Sequence, residues 1–438
     1  MEFPVGVQEI LHTLAQNGYE AYLVGGCVRD LLMGKVPVDW DITTSALPKE
    51  VLTFFPAAIP TGLPHGTVTV KSHGESFEVT TFRADGNYAD HRRPDAVRFT
   101  DSLREDLARR DFTVNAMAMD LQGRLYDFYG GQDDLYAGIL RCVGEPDRRL
   151  CEDALRIMRA LRFAATLGFS VDTEAERCLH EHREELSQIA VERITVEMTK
   201  LLCGENAAAV LLQYPDVIGV FLPEILPCVG LDQHNPHHCC DVWGHTAHSV
   251  AAIAPEPILR WAMLLHDLGK GSTFSMDEQG VGHFYGHGKA SVALAEAITT
   301  RLRFSAEMKA RVIELVDWHD RDVPRTEKSI RRCLYHLGEE GVRRLIAVKR
   351  ADNAAQHPDY QGRAVEMEKA ERILQEILDT DACFSLRQLA VNGDDLLALG
   401  LRGKAIGEAL DFLLEQVMDG KVGNEKEALL HEVVKQQV

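Results

Sequence analysis

A chain of 438 residues is too long for a single hydrophobic core and implies about three domains. Its 45% hydrophobic and 26% charged content is that of a soluble globular protein, and no stretch reaches the ~20 apolar residues of a membrane span. A net charge of −20 argues against indiscriminate binding to nucleic acid, DNA included, while leaving room for a local basic track. The opening MEFPVGVQEI lacks the basic flank and apolar run of a signal peptide, so a cytoplasmic protein is expected. The cysteines show no CxxC spacing apart from adjacent Cys239 and Cys240, which reads as buried thiols rather than disulfides or a zinc knuckle.

Val7, Ile10, Leu11 and Leu14 recur at helical spacing and predict a first helix over 3–17. Ala21 to Val24 is then a short apolar strand that stops at Gly25 and Gly26. A strand feeding a Gly-Gly turn lets backbone N–H groups approach an anion with no Cβ in the way. Arg29 and Asp30 sit on the first turn of the helix that follows, beside that presumed phosphate site. A second apolar stretch carries Asp39 and Asp41, split by Trp40. On a strand, positions i and i+2 share a face, so two such carboxylates can bracket the paired Mg²⁺ ions of in-line phosphoryl transfer. A glycine turn and two solvated acids are the bland explanation of either half alone; together they favour a nucleotidyl-transfer centre.

Pro48 opens a second helix over 46–58. Residues 65–71 and 77–82 alternate with period two and read as strands paired around the turn 72–76. Glu78 on the second strand is either a third carboxylate of the metal site or a surface glutamate. Residues 83–100 are a polar, arginine-dense loop, and Arg109 and Arg110 precede an apolar segment where they suit triphosphate or ribose contacts.

Residues 151–169 are strongly helical, with Leu155, Met158, Leu161 and Ala165 as one stripe. Asp153 and Arg156, three apart, are surface neighbours on such a helix and together could read the hydrogen-bonding edge of a base. Arg159 continues the row, and Arg162 has drifted round from Asp153. An intrahelical ion pair explains the Asp153–Arg156 spacing equally well. A Pro/Gly cluster over 215–236 marks a boundary. Beyond it stand His245, the pair His266-Asp267, His287, His319 and Asp352, imidazoles and carboxylates spread over several helices. That is how a helical bundle holds a catalytic divalent metal, with His287 and His319 available for a second ion. Nine Lys or Arg against four Asp or Glu over 321–350 make that stretch net positive, most simply as a solvated helix face.

LVGGCVRDLL with DWD, then RRDFTVNA, then EDALRIMRALRFA, in that order, resemble the bacterial class II CCA-adding tRNA nucleotidyltransferases. These share their head domain with bacterial poly(A) polymerases, and the resemblance covers essentially the whole chain. It implies an α+β multidomain fold: a small mixed-sheet head (1–145), a helical neck (146–225), a body resembling HD-type phosphohydrolases (226–360) and a helical tail (361–438). It implies that Asp39 and Asp41 bind Mg²⁺, and that Gly25, Gly26 and Arg29 meet the nucleotide's phosphates and ribose. Arg110, Arg159 and Arg162 would contact the nucleotide, while Asp153 and Arg156 select CTP, then ATP, without a nucleic-acid template. The expected partners are the tRNA 3′ acceptor end, CTP and ATP. His245, His266, Asp267 and Asp352 would hold an unidentified divalent metal in the body.

Poly(A) polymerase or partial CC- or A-addition is the near alternative, and the loop 85–95 favours complete CCA addition. An HD phosphohydrolase with an RNA-binding head is the alternative of another class. The basic stretch 321–350 would then follow tRNA phosphates.

Overall fold

The computed structural model describes residues 3–85, 97–237, 239–380 and 383–436. The chain divides into two compact units, residues 1–223 and 224–438. The loop 85–95 lies, past residue 85, outside the described residues.

In the first unit, α1 (Val5–Gln16) buries Val7, Ile10, Leu11 and Leu14, the stripe its spacing predicts. There follow β1 (Ala21–Val24), α2 (Gly26–Leu32), β2 (Asp41–Thr44), α3 (Pro48–Phe54), β3 (Ile59–Gly62), β4 (Thr67–Ser72) and β5 (Glu75–Thr81). The short pair β6 (Arg83–Asp85) and β7 (Val97–Phe99), then α4 (Leu103–Ala108), β8 (Met117–Met119) and β9 (Leu125–Asp127) complete the sheet region. Seven strands form one mixed sheet in the order β3-β4-β5-β2-β1-β8-β9. Strands β4 and β5 make the expected antiparallel hairpin, with Val68, Val70, Phe77 and Val79 buried on one face. Parallel pairing of β2 with β5 sets Asp41 opposite Glu78, so these two carboxylates share a sheet face.

Asp39 departs from the expected strand. Pairing of β2 runs out at Asp41, and Asp39 lies in an exposed bend ahead of it.

The unit continues through α5 (Gly131–Ala137), β10 (Ile139–Leu140), α6 (Pro146–Glu152) and α7 (Leu155–Leu167). Strand β11 (Ser170–Val171) pairs with β10, ahead of α8 (Thr173–Glu181), a 3-10 turn over Arg183–Gln188, and α9 (Val191–Leu202), α10 (Ala207–Gln213) and α11 (Pro215–Ile218). The helix expected over 151–169 is broken. Asp153 adopts extended backbone (φ −144°, ψ 101°), and its Oδ1 accepts the N–H of Leu155 at 3.1 Å. A short acidic side chain bonding two residues ahead competes with the helical ladder, which ends α6 and restarts as α7. The stripe Leu155, Met158, Leu161 and Ala165 is buried as predicted.

The second unit is almost wholly helical: α12 (Val242–Ala252), α13 (Pro257–Leu265), α14 (Lys270–Thr273), α15 (His287–Arg301), α16 (Ala306–Trp318) and α17 (Glu327–Ala354). Helix α17 kinks at Gly338, whose φ of 68° breaks the helical path. Helices α18 (Ala364–Asp379), α19 (Gly393–Ala398), α20 (Lys404–Met418) and α21 (Lys426–Gln436) follow, and the last three close a core around Leu396, Leu413, Leu414 and Leu429.

Candidate active site and candidate metal centre

The junction of β1 with α2 is a sharp elbow. Gly25 sits at φ 77°, ψ −131°, a backbone conformation that side chains strongly disfavour. A Cβ there would also come within 2.9 Å of the Arg110 guanidinium. Gly25→Ala is therefore expected to cost about 1–3 kcal/mol of stability from the backbone alone. It should also push Arg110 aside, and if Arg110 meets a triphosphate as the sequence suggests, titration with a non-hydrolysable triphosphate would show weaker binding.

The elbow opens into a cleft of about 510 Å³ lined by Gly25, Gly26, Arg29, Asp41, Arg110 and Asn115, with Arg159, Arg162 and Phe163 facing them from α7. On the acidic side, burial raises the Asp41 carboxyl above its usual range; Arg110 opposes this, while Glu78 and Asp39 push it further up. A carboxylate strained by burial and by two acidic neighbours is what a divalent cation relieves, so these residues fit one. Thr43 Oγ1 donates to the fully buried Asp106 at 3.1 Å, and Asp106 holds Arg109 at 2.9 Å and Arg110 at 3.7 Å. Among the described residues the buried Nε of Arg110 has no hydrogen-bond partner. An under-satisfied guanidinium lining a cleft favours an anionic ligand.

On the opposite side, three guanidinium groups gather about the ring of Phe163, with Arg162 at 3.9 Å, Arg159 at 5.3 Å and Arg29 at 5.4 Å from its centroid. Cations so close repel one another and need carboxylates to hold them. Asp111 lies 2.6 Å from Arg159, and Glu197 of α9 lies 3.1 Å from Arg162 and 3.8 Å from Arg159. Burial would raise the Asp111 carboxyl, but Arg159 outweighs it and holds it at about 2. Burial, with Arg159 adding to it, pushes Arg162 down to about 10. Arg29 donates to Asn115 Oδ1 at 2.8 Å and to Asp30 at 2.7 Å. Asp111, Asn115, Glu197 and Phe163 are parts of the site that sequence spacing did not single out.

Asp153 and Arg156 stand apart from this cleft. Neither lines it, and the expected pairing along one helix surface is replaced by other partners. Asp153 Oδ2 accepts from Arg193 at 2.9 Å, while Arg156 donates to Glu152 at 2.8 Å and to the carbonyls of Arg149 and Arg109. Arg162, which drifts from Asp153 on an ideal helix, does line the cleft, because α7 starts afresh beyond Asp153.

In the second unit His245 comes from α12, His266 and Asp267 from the end of α13, His287 from the start of α15, His319 from the end of α16 and Asp352 from α17. One ligand atom from each of His245, His266, Asp267 and Asp352 falls within 4.8 Å of the others, and the same holds for Asp267, His287 and His319. Asp267 belongs to both groups. Its Oδ2 faces His266 Nε2 at 3.3 Å and His245 Nε2 at 3.6 Å, and its Oδ1 faces His287 Nε2 and His319 Nε2, each at 3.6 Å.

All four imidazoles turn Nδ1 to a main-chain carbonyl: His245 to Ala355 (3.3 Å), His266 to Met263 (2.7 Å), His287 to Phe284 (2.9 Å) and His319 to Val316 (2.6 Å). A carbonyl can only accept, so Nδ1 carries a proton and Nε2 is the nitrogen that a metal would take as a lone-pair donor. Burial would lower the His266 imidazole, but Asp267 and Asp352 outweigh it and hold it up at about 10, so a metal would displace a proton from that Nε2. Nε2 of His266 and of His319 are buried with no hydrogen bond among the described residues. The donor set fits a divalent metal. Asp267, His287, His319 and Asp352 themselves line a cavity of about 210 Å³, along with Lys270, Arg321, Arg325, Lys349 and Arg363 and the acids Asp320, Asp322 and Glu366.

The basic stretch 321–350 is largely neutralised by acids. Arg331 pairs with Glu327, Arg332 with Asp419, Arg343 with Glu339, Arg344 with Glu340 and Arg350 with Glu371. A free cationic track for tRNA is not what this stretch presents.

Residues 21–141 match the family model of the poly A polymerase head domain. Residues 168–226 match a probable RNA and SrmB-binding site of polymerase A, and 278–433 a putative tRNA nucleotidyltransferase domain 2. The chain is 37% identical over 424 residues to the CCA-adding enzyme of Geobacillus stearothermophilus, covering 96% of this chain and 94% of that one. It is 51% identical over 218 residues to the CCA-adding enzyme of Oceanobacillus iheyensis, an alignment spanning 50% of this chain and about half (54%) of that relative. Among solved structures it resembles the Bacillus stearothermophilus CCA-adding enzyme in complex with CTP, with a TM-score of 0.75, 32% identity and coverage of 100% and 99% of the two chains. No helix among the described residues is long and apolar enough to cross a membrane. With a relative above 30% identity matched over nearly its whole length, the chain belongs to the CCA-adding enzymes, a family of nucleotidyltransferases.

Proposed function

We propose that this chain adds CCA to the 3′ end of tRNA from CTP and ATP, releasing pyrophosphate, with no nucleic-acid template. The observation that carries the reading is the cleft that brings Asp41, close enough to Glu78 and Asp39 to feel their charge, together with Arg29, Arg110, Arg159 and Arg162. Arg110 and the arginines about Phe163 would neutralise and orient the triphosphate, with Asp106, Asp111 and Glu197 fixing their positions. The tRNA 3′-hydroxyl attacks the α-phosphorus, its proton leaves, and the bond to the pyrophosphate oxygen breaks. Asp39 and Asp41 would hold Mg²⁺, which supplies Lewis-acid stabilisation of phosphate charge and makes the hydroxyl easier to ionise. No side-chain nucleophile is needed.

Selection between bases is assigned to Asp153 and Arg156. For Asp153 to reach a base, its contact with Arg193 must open. A wrong base would leave buried donors or acceptors unpaired, at about 1–3 kcal/mol each. Asp153→Ala is expected to lower discrimination of CTP against UTP by roughly tenfold to a hundredfold, with less effect on total turnover. Parental discrimination in a CMP-versus-UMP incorporation assay would remove Asp153 from this role.

The direct test supplies CTP and ATP separately to tRNA ending at the discriminator base, tRNA-C and tRNA-CC. Product lengths separate CCA, CC, A-only and poly(A) addition, and no extension at all would overturn the reading.

A second activity is favoured by one specific observation, the four imidazoles locked with Nε2 toward Asp267. His245, His266, Asp267 and Asp352 would hold one divalent ion in an HD-type centre, and Asp267, His287 and His319 a second. Such a centre would supply an activated water for hydrolysis, and the neighbouring lysines and arginines suit a phosphate ester such as a 2′,3′-cyclic phosphate or 2′-nucleotide.

A further inference from the structure

Five cations line the cleft of the first unit, and four of them already have a counter-ion. Arg29 is paired with Asp30, Arg110 with Asp106, Arg159 with Asp111 and Arg162 with Glu197. The fifth is Lys200, in the last turn of α9 and exposed. Among the described residues its ammonium has no ion pair and no hydrogen bond. The field of a guanidinium tied to a carboxylate largely cancels at a distance, whereas that of a lone ammonium does not. Helices α7 and α9 fix where along the cleft this charge stands. Arg193 meets Asp153 just ahead of α7, and Glu197 meets Arg159 and Arg162 within it, so contacts advance along both helices together. Lys200, about one turn past Glu197, therefore falls toward the far end of α7, where Thr166 also lines the cleft. From position 156 to position 166 that helix rises about 15 Å.

We propose, on the nucleotide-addition reading above, that Lys200 binds the terminal phosphate of the incoming CTP or ATP. A nucleotide whose base is read at Asp153 and Arg156, at the start of α7, runs its phosphates past Arg159 and Arg162. Its last phosphate then arrives at the end of the cleft that Lys200 lines. A compact charge on a flexible four-carbon stem suits a phosphate that departs with pyrophosphate. The arginines, held in fixed forks by their carboxylates, suit phosphates that must stay aligned for attack. Because the terminal phosphate carries its charge before and during transfer, the contact strengthens nucleotide binding and leaves the chemical step nearly untouched. A phosphate of the tRNA acceptor end fits this position less well, because Lys200 lies at the opposite end of α7 from the residues that read the base.

The test titrates full-length protein with CTP, CDP and CMP in Mg²⁺ without tRNA, read by calorimetry. The parent is expected to bind CTP more tightly than CDP. Lys200→Gln should bind CTP about tenfold more weakly, with CDP and CMP within about twofold of the parent. Lys200→Arg, which keeps the charge, should recover most of the CTP affinity. In turnover, Lys200→Gln should raise KM for CTP and for ATP with kcat nearly unchanged. Parental CTP affinity in Lys200→Gln would overturn the proposal, and a loss of tRNA affinity in its place would hand the side chain to the acceptor end. Equal losses for CTP, CDP and CMP would overturn it as well, leaving Lys200 a structural role. These titrations need no extension of tRNA. A parent that binds CTP yet adds nothing to tRNA therefore removes the nucleotide-addition reading, whereas a parent that extends tRNA beside an unaltered Lys200→Gln removes only Lys200.

Discussion

Asp41→Asn is expected to lower nucleotide addition to tRNA by at least about 10³-fold, some 4 kcal/mol of transition-state stabilisation, while leaving the protein no less stable. The two halves of this expectation have one cause. Burial, with Glu78 and Asp39 adding to it against Arg110, lifts the Asp41 carboxyl above its ordinary range. An acid with a raised pKa in the folded state is one the fold would rather have protonated. Above that pKa its ionised form costs stability, and a neutral amide of the same shape removes the cost. The thermal midpoint should therefore stay or rise at neutral pH and differ less from the parent in acid. Triphosphate binding should fall far less than turnover, because Arg29, Arg110, Arg159 and Arg162 remain. Undiminished CMP and AMP transfer would remove Asp41 from the chemistry, and a collapse in stability alongside lost activity would make its role structural.

That cost marks how far the sequence could be read. The Gly25 elbow, the stripe of α1 and the β4–β5 hairpin follow from local rules of φ, helical period and period two. Whether Glu78 joins the acids or faces solvent does not, and it is the parallel pairing of β2 with β5 that sets it opposite Asp41. What decides the cleft is long-range. Arg29 meets Asn115, Arg159 meets Asp111, and Glu197 arrives from another helix to separate two arginines. No spacing rule anticipates such partners.

The break at Asp153 had a local signal, an acid free to bond the N–H two residues on. The helix-forming composition around it outweighed that signal. The basic stretch 321–350 misleads for the opposite reason. Some of its neutralising acids are one helical turn away, but Asp419 and Glu371 lie well outside it in sequence. The histidine set was legible as a cluster of ligand types; the four Nδ1–carbonyl bonds that orient it were not.

Asp267→Asn is the second large expected effect. Because its two carboxylate oxygens face different histidine pairs, one substitution should empty both of the proposed ion positions: Oδ2 toward His245 and His266, Oδ1 toward His287 and His319. His287→Ala should touch only the second position. Metal content of the purified full-length variants should thus fall by about two ions in Asp267→Asn and by about one in His287→Ala. Any hydrolysis of a 2′,3′-cyclic nucleotide by the proposed centre should drop to background in the first. The carboxylate also anchors Lys270, whose Nζ lies 2.7 Å away and is otherwise held by Gln233 Oε1 at 3.1 Å. Burial would raise the Asp267 carboxyl, but His266 and Lys270 outweigh it and hold it well below the usual range. Its ionised form therefore stabilises the folded state above the unfolded carboxyl pKa, and the benefit fades as pH falls through the folded one. The amide forfeits that benefit, leaving a buried ammonium short of its counter-charge, so stability at neutral pH should fall by about 3–5 kcal/mol. Asp41→Asn and Asp267→Asn should therefore move stability in opposite directions, although each removes one buried carboxylate from a cluster. Equal metal content in Asp267→Asn and the parent would dismantle the shared-ligand reading of the second unit.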